Sequence, residues 1–407
     1  MIARSPLRTT AAIPDDAFDA IRRELVLDGC KWDPQVGDVD TLARYALVID
    51  RRAWKELSCT VEALSAELQA IEDELVNRPD LHAMLGAPHA LRRLFRRRSP
   101  QTPSAVRSLR FDFHWTGERF ALSEVNSDVP GGYSEASSLS SLMLRHFQGV
   151  ASTGDPGARW ADSITSRIAP GPPVALLVAP GFIEDVQIVS YFRRALAARG
   201  VHAVIGHAGH IRANPESVHF KSNEYDGGVA AVVRFYQAEW LARLDDFDSL
   251  AGLFVGGATP VTNPGAAALT ESKRLPLLWD RIRASTSTFR AAMPETRDVQ
   301  DAPWLRAADE WVIKGAYSNT GDEVVFPDRL PRRARFALAI RIAAQPKRWV
   351  AQRRFQTAPV ATPFGEARPC IGVYTIDGRV AGTYVRIATS EIVDGGAIDA
   401  ACFVEAA

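Results

Sequence analysis

Arg110-Phe-Asp-Phe-His-Trp-Thr-Gly-Glu-Arg-Phe-Ala-Leu-Ser-Glu-Val-Asn126 alternates polar and apolar residues on either side of Thr116-Gly117-Glu118, the pattern of a β-hairpin with its polar groups on one face. Folding the segment about residue 118 sets Asp112 opposite Glu124 and Arg110 opposite Asn126. Two carboxylates facing across a strand pair have β-carbons about 5 Å apart. At an effective dielectric of about 20 their repulsion is roughly 3 kcal/mol, so a cation is required between them. A magnesium ion held by two carboxylates, an amide oxygen and nucleotide phosphate oxygens meets that need. Arg110 acting alone as the centre of a salt-bridge cluster is the alternative.

With 407 residues, 46% of them hydrophobic, the chain has enough apolar surface for a large core divided over two or three lobes. Its 48 Lys and Arg balance 48 Asp and Glu. No bulk field therefore draws it to nucleic acid or to an anionic membrane, and a charged ligand must be recognised locally. Cys30, Cys59, Cys370 and Cys402 are far apart with no paired spacing, which argues against a zinc site and a disulfide framework and predicts four reduced core residues. The first twelve residues lack the apolar run of a signal peptide and no later stretch approaches a membrane span, so the cytoplasm is the expected location.

Helical periodicity marks Asp16 to Leu27 and Val61 to Leu75, and residues 1–100 read as a helical N-terminal region ending in the basic run Arg92-Arg-Leu-Phe-Arg-Arg-Arg98, a solvated helix face. Residues 101–150 hold the hairpin and a helix entered through Ser134. A Gly/Pro/Ser-rich stretch over 150–172 reads as a lobe boundary. Beyond it, Val174–Val178, Val201–Ile205 and Val229–Phe235 are short apolar strands separated by amphipathic helices, which predicts a Rossmann-like α/β lobe with a parallel sheet over 151–290. Alternation returns over 291–407, in Trp311–Lys314, Trp349–Gln352, Ile371–Ile376 and Val380–Ile387.

Lys314 closes an apolar strand and precedes the loop Gly315-Ala-Tyr-Ser-Asn-Thr-Gly321, a placement from which an ammonium and backbone N–H groups grip nucleotide phosphates. No Gly-Lys-Ser/Thr follows, so this is not a Walker loop, and a lysine flanking a loop also serves purely structural ends. Arg386 ends another apolar strand and suits bidentate contact with an acyl phosphate, or else pairing with a surface acid. Glu239 sits between Tyr236 and Trp240 after the strand Val229–Phe235, where α/β sheets place ligand crevices. An acid among aromatics suits an ammonium. A salt bridge to Arg234 or Arg243 is the alternative.

Taken in order, these segments resemble the glutathionylspermidine synthase family within the circularly permuted ATP-grasp ligases, over about residues 105–400. Arg110-Phe-Asp112-Phe followed by Glu124-Val-Asn126-Ser-Asp resembles the family's Arg-Phe-Asp-Phe and Glu-Tyr-Asn-Ala-Asp. Val233-Arg-Phe-Tyr-Gln-Ala-Glu239-Trp240-Leu241 is similar to its Tyr-Pro-Trp-Glu-Trp segment, and Ser272-Lys-Arg-Leu-Pro276-Leu-Leu-Trp279 to its Asn-Lys-X-Leu-Pro-Leu-Leu-Trp. Lys314 with Ser318, Gly321 and Glu323 resembles its phosphate-lysine loop. Trp349-Val350-Ala351-Gln352 resembles its Tyr-X-X-Gln hinge, preceded by Lys347 near the spacing of its second nucleotide lysine, and Gly382-Thr-Tyr-Val-Arg386 its Gly-X-X-X-Arg. The resemblance implies a mixed α+β and α/β permuted ATP-grasp fold. It implies magnesium on Asp112, Glu124 and Asn126, and ATP phosphates held by Lys314 and Lys347 with the Ser318–Gly321 loop. Adenine would lie along Val350 and Gln352, an acyl phosphate against Arg110 and Arg386, and substrate contacts at Glu135 and Glu239. It further implies a small carboxylate and an amine as substrates, joined at the expense of ATP to release ADP and phosphate. Gly315 stands where the family has proline, Ser318 and Asn319 where it has glycine and arginine, and Val129 and Gly131 where glutathione-binding members have serine. The chain has neither the length nor a Cys-His pair for an amidase half.

Overall fold

The computed structural model describes residues 5–36, 39–97, 105–318, 323–391, 393 and 396–406. Its centre is the hairpin. Ser108–Trp115 and Phe120–Asn126 pair antiparallel, with Arg110 opposite Asn126 and Asp112 opposite Glu124. One residue on, the register slips so that Phe113 faces Leu122, which leaves Ser123 as the extra residue of a bulge. A bulge bends its strand and re-aims the groups beside it. Here the Ser123 hydroxyl donates to the Asp112 carbonyl at 2.9 Å.

Three further strands, Gly365–Ile376, Arg379–Ala388 and Ile398–Ala400, extend Ser108–Trp115 into one antiparallel sheet, and Val360–Thr362 pairs with Gly365–Ile376. Gly372 lies opposite Asp112. A β-carbon there would come within 2.8 Å of Arg110 Cδ and 2.9 Å of Asp112 Oδ1, so only glycine leaves room for those two side chains.

A second antiparallel sheet has the order Thr296–Asp298, Trp349–Arg353, Trp311–Gly315, Val324–Val325. Trp311, Ile313, Trp349 and Ala351 pack with Leu338 and Ile342 of the helix Arg332–Ala344. Strand alternation then turns Val312, Lys314, Val350 and Gln352 to the opposite face. The third sheet is wholly parallel, in the order Val261–Thr262, Ala231–Phe235, Val174–Val178, Ala203–Gly206, with the helix Ile183–Ala197 packed on it, in accord with the α/β pattern of short strands and helices.

Two features depart from the sequence reading. The N-terminal region holds the helices Asp15–Leu27 and Arg51–Val76, but also the strands Leu7–Thr9 and Leu47–Ile49, which join Cys402–Glu405 and Val150–Ser152 in a fourth sheet. Three-residue strands that pair only with distant segments leave almost no local pattern. The stretch 150–172 is not a plain boundary: Asp155 accepts the Ala158 N–H and Pro156 takes the first turn, so Pro156–Thr165 forms a helix that buries Trp160 and Ile164. Cys30, Cys370 and Cys402 are buried, whereas Cys59 is exposed on the outer face of Arg51–Val76 and is not a core residue. Among the described residues no helix is long and apolar enough to cross a membrane.

Buried polar side chains fasten the hairpin to the parallel sheet. The Asn263 amide donates to the carbonyls of Ser108, Ser127 and Asp128 at 2.8, 3.0 and 3.0 Å and accepts the Ser108 N–H at 2.9 Å. Arg234, fully buried on Ala231–Phe235, grips both carboxylate oxygens of Asp128 and donates to the Tyr236 carbonyl at 2.9 Å. Asp128→Ala strands that guanidinium without a counter-ion and is expected to cost about 3–5 kcal/mol. A urea midpoint that reports a loss below about 1 kcal/mol would show the pair to be dispensable for the fold.

Candidate active site

The face of the second sheet that carries Lys314 and Gln352 looks across a cleft at the hairpin and its neighbouring strands. Two hollows share Ser123, Glu124, Lys314 and Gln352 as walls. The larger, about 820 Å³, adds Val312, Phe326, Phe355, His114, Cys370 and Arg386. The smaller, about 420 Å³, adds Lys273, Glu271, Val350, Leu275, Trp279 and Phe289. Of the residues read from the sequence, Glu124, Lys314, Val350, Gln352 and Arg386 thus converge.

Glu124 is the electrostatic centre. Burial alone would raise its carboxyl, but Lys273, Lys314, Arg110 and Arg386 outweigh it and hold it down at about 2. Lys273 Nζ lies 3.3 Å from Glu124 Oε2 and donates to the Ser318 carbonyl at 2.5 Å. The Lys273 backbone N–H reaches the Ala316 carbonyl at 2.9 Å, so this residue pins the start of the loop after Lys314. Burial works against the charge of Lys273, yet Glu124 and Glu271 raise its titration overall. Lys314 is the opposite case. Its ammonium donates to the carbonyl of the bulge residue Ser123 at 3.1 Å, and burial and Lys273 outweigh Glu124 to bring it down to about 8. Arg386 lines the larger hollow with no ion pair or hydrogen bond among the described residues. The neutral His114 imidazole beside it, pushed down to about 4 by burial and by Lys314, has no partner for Nδ1 among the described residues.

Asp112, 2% exposed, is held in the Arg110 fork, with Nε to Oδ1 at 2.8 Å and Nη2 to Oδ2 at 2.9 Å, and accepts the Asn126 amide at 3.1 Å. Arg110 also donates to the Gly131 carbonyl at 2.7 Å and lies over the Tyr384 ring. No group of three or more His, Cys, Asp or Glu is poised for a metal among the described residues. The hairpin nevertheless offers a hard-oxygen set of two carboxylates and an amide oxygen, matched in register and neutralised here by Arg110 and Lys273. Such a set fits magnesium together with phosphate oxygens.

Among known families, that of the glutathionylspermidine synthase preATP-grasp domain matches residues 21–405. The chain belongs to that family. It is therefore a synthetase-type ligase in general class. The fold is similar to that of a glutathione synthetase-like effector from Globodera pallida, with a TM-score of 0.62 at 14% identity over 99% of this chain and 98% of the other. A protein designated a gamma-glutamylcysteine synthetase from Methylobacillus flagellatus aligns with a TM-score of 0.43 at 13% identity, over 82% of this chain and 85% of the other. No curated protein matches the sequence.

Several residues of this preATP-grasp chain are not where sequence order suggests. Lys347 is exposed in the short turn Pro346–Arg348 and lines neither hollow; Lys273 stands beside Lys314 instead. The signal for Lys273 lay in its own segment, since Ser272-Lys273 heads the Leu-Pro-Leu-Leu-Trp stretch, but no local rule says that its ammonium reaches Glu124. Ser318 is buried and serves through its carbonyl, and Gly321 lies outside the described residues. Glu135 is bound by Lys31 at 2.8 Å, in a buried cluster where Lys31 also meets Asp33 at 3.0 Å and Asp399 at 3.5 Å. Glu239 is 3% exposed and pairs with neither Arg234, which Asp128 occupies, nor Arg243. Burial, then Asp128 and Glu271, push its carboxyl up to about 8.

The two lysines should differ chemically in the free protein. Labelling with an amine-acylating reagent across a pH series, read by peptide mass spectrometry, is expected to show Lys314 reaching half-maximal reactivity near its titration at about 8, with Lys273 protected throughout. Identical profiles for the two would contradict the charge assignment.

Proposed function

We propose that the protein is an ATP-dependent carboxylate–amine ligase of the permuted ATP-grasp kind, forming an amide through an acyl phosphate and releasing ADP and phosphate. The observation that carries this reading is the excess of positive charge facing the cleft: among the described residues Arg386 makes no ion pair or hydrogen bond and Lys314 bonds only to a carbonyl, beside the carboxylate of Glu124. Arginine stays charged at any accessible pH, so such a cleft favours an anionic ligand of phosphate type. In this reading the hairpin of residues 101–150 and the return over 291–407 form the catalytic core, residues 151–290 an acceptor lobe and 1–100 a support.

Lys314 and Lys273 would hold the nucleotide phosphates, and the apolar walls with Val350 and Gln352 would take the base. Arg386 and Arg110 would orient the substrate carboxylate against the terminal phosphate and stabilise charge as it moves onto phosphate oxygens. Asp112, Glu124 and Asn126 would hold magnesium, which when bound neutralises phosphate charge. Glu239, an acid among aromatics with no ion pair among the described residues, would face the amine. A nucleotide-binding module without turnover, or a small-molecule kinase that stops at phosphorylation, would share this cleft. Incubation with ATP, magnesium and panels of acids and amines, read as ADP release and product mass, separates the three; a phosphorylated product without amide would mark the kinase, and ATP binding without ADP release under any pairing would leave only the silent module.

Asp112→Asn and Glu124→Gln are each expected to lower magnesium-dependent ADP release by about 100-fold or more while thermal unfolding stays cooperative. Wild-type rates in either variant would remove that residue from the metal site. Lys314→Ala should raise the dissociation constant for ATP by about 10- to 100-fold and leave AMP unaffected. Equal losses in calorimetry would move the lysine from the phosphates to the nucleoside.

A further inference from the structure

Glu271 has no role in any of the assignments above. It follows the short helix Ala267–Thr270 and lines the smaller hollow with Lys273, Glu124 and Lys314. Its Oε2 accepts the backbone N–H groups of Ser127 at 2.6 Å and Asp128 at 2.8 Å. That pair of bonds fixes the carboxylate and leaves Oε1 uncommitted among the described residues.

The cations that act on this acidic group are already engaged. Arg234 is held by Asp128, and Lys273 spans Glu124 and the Ser318 carbonyl. Glu239, buried and in no ion pair among the described residues, interacts electrostatically with Glu271, and the Tyr317 hydroxyl donates to the Ala268 carbonyl at 3.0 Å. An oriented carboxylate that makes no ion pair among the described residues therefore borders the hollow next to the phosphate-side lysines.

An amine reaches a ligase as an ammonium, which has no lone pair, so one proton must leave before nitrogen can attack. We propose that Glu271 is the general base that takes this proton, a role that rests on the ligase reading above. The nitrogen lone pair then forms the bond to the acyl carbon while the bond from that carbon to the phosphate oxygen breaks. The departing phosphate keeps the electron pair and takes the second nitrogen proton, and Glu271 returns the first to solvent. Burial and Asp128 raise the Glu271 carboxyl to about 7 against the pull of Lys273, which suits proton exchange at neutral pH. Asp128, Glu239, Lys273 and Tyr317 are the titratable groups that face it.

The test compares two nucleophiles in the full chain with ATP, magnesium and an acid from the panel that supports turnover. Primary amines enter as ammonium ions; hydroxylamine is largely unprotonated at neutral pH and needs no base. Glu271→Gln keeps an oxygen that accepts the Ser127 and Asp128 N–H groups. It is expected to lower amide formation by about 100-fold or more, with hydroxamate formation and melting temperature unchanged. Equal loss with both nucleophiles in the folded variant, or loss with neither, overturns the role. Should Glu271→Gln not fold, Glu271→Asp is expected to give a smaller split of the same sign, and no split overturns the role there. Absence of hydroxamate from wild type with every acid overturns the ligase reading itself, and the Glu271 role with it.

Discussion

Two ammonium groups withdrawn from water, only one of them in an ion pair among the described residues, set the terms for this cleft. At an effective dielectric of about 20 one close ion pair is worth about 4 kcal/mol, which offsets the desolvation of one lysine and not of two. Lys273 takes the carboxylate of Glu124 and keeps its charge. Lys314 is left with a backbone carbonyl and holds its proton weakly. Arg386 cannot shed its charge and has no partner among the described residues. A cleft in this condition is stabilised by an anion, and in the proposed reading the same imbalance provides the affinity for nucleotide phosphate.

The surrounding polar network keeps that imbalance from collapsing. The bulge at Ser123 aims a carbonyl at Lys314 and so holds the ammonium short of Glu124. Lys273 pins Ala316 through its backbone and Ser318 through its side chain, and the Ala316 N–H reaches the Arg348 carbonyl at 2.8 Å. Asn263 and the Arg234–Asp128 pair anchor the hairpin from behind. Such bonds resist rearrangement, because each one broken leaves a buried polar group unpaired.

On the acid side the hairpin is tied to the N-terminal region through charge. Arg110 lies over the Tyr384 ring, the Tyr384 hydroxyl donates to Asp399 at 2.7 Å, and Asp399 with Glu135 and Asp33 surrounds Lys31. Burial and Glu135 raise the Asp399 carboxyl to about 7, with Lys31 opposing. Lys31 lies outside residues 105–400, where the sequence motifs fall, though within the 21–405 family match, and it holds Glu135, a residue the resemblance places at the substrate.

Local periodicity carried much of this protein. Arg386 lies inside Arg379–Ala388 and not at a strand end, but the hairpin register at Asp112 and Glu124 followed from strand alternation, the parallel sheet from short apolar strands between helices, and the position of Lys314 from its place near the end of Trp311–Gly315. Each of these rests on interactions between near neighbours or on a face that every second residue shares. Lys273 at Glu124, Lys31 on Glu135, Asp128 on Arg234 and the exposure of Lys347 were decided only in three dimensions. An ammonium on four methylenes reaches whatever carboxylate the fold brings near, and the desolvation that selects among the candidates exists only once the chain has closed around them.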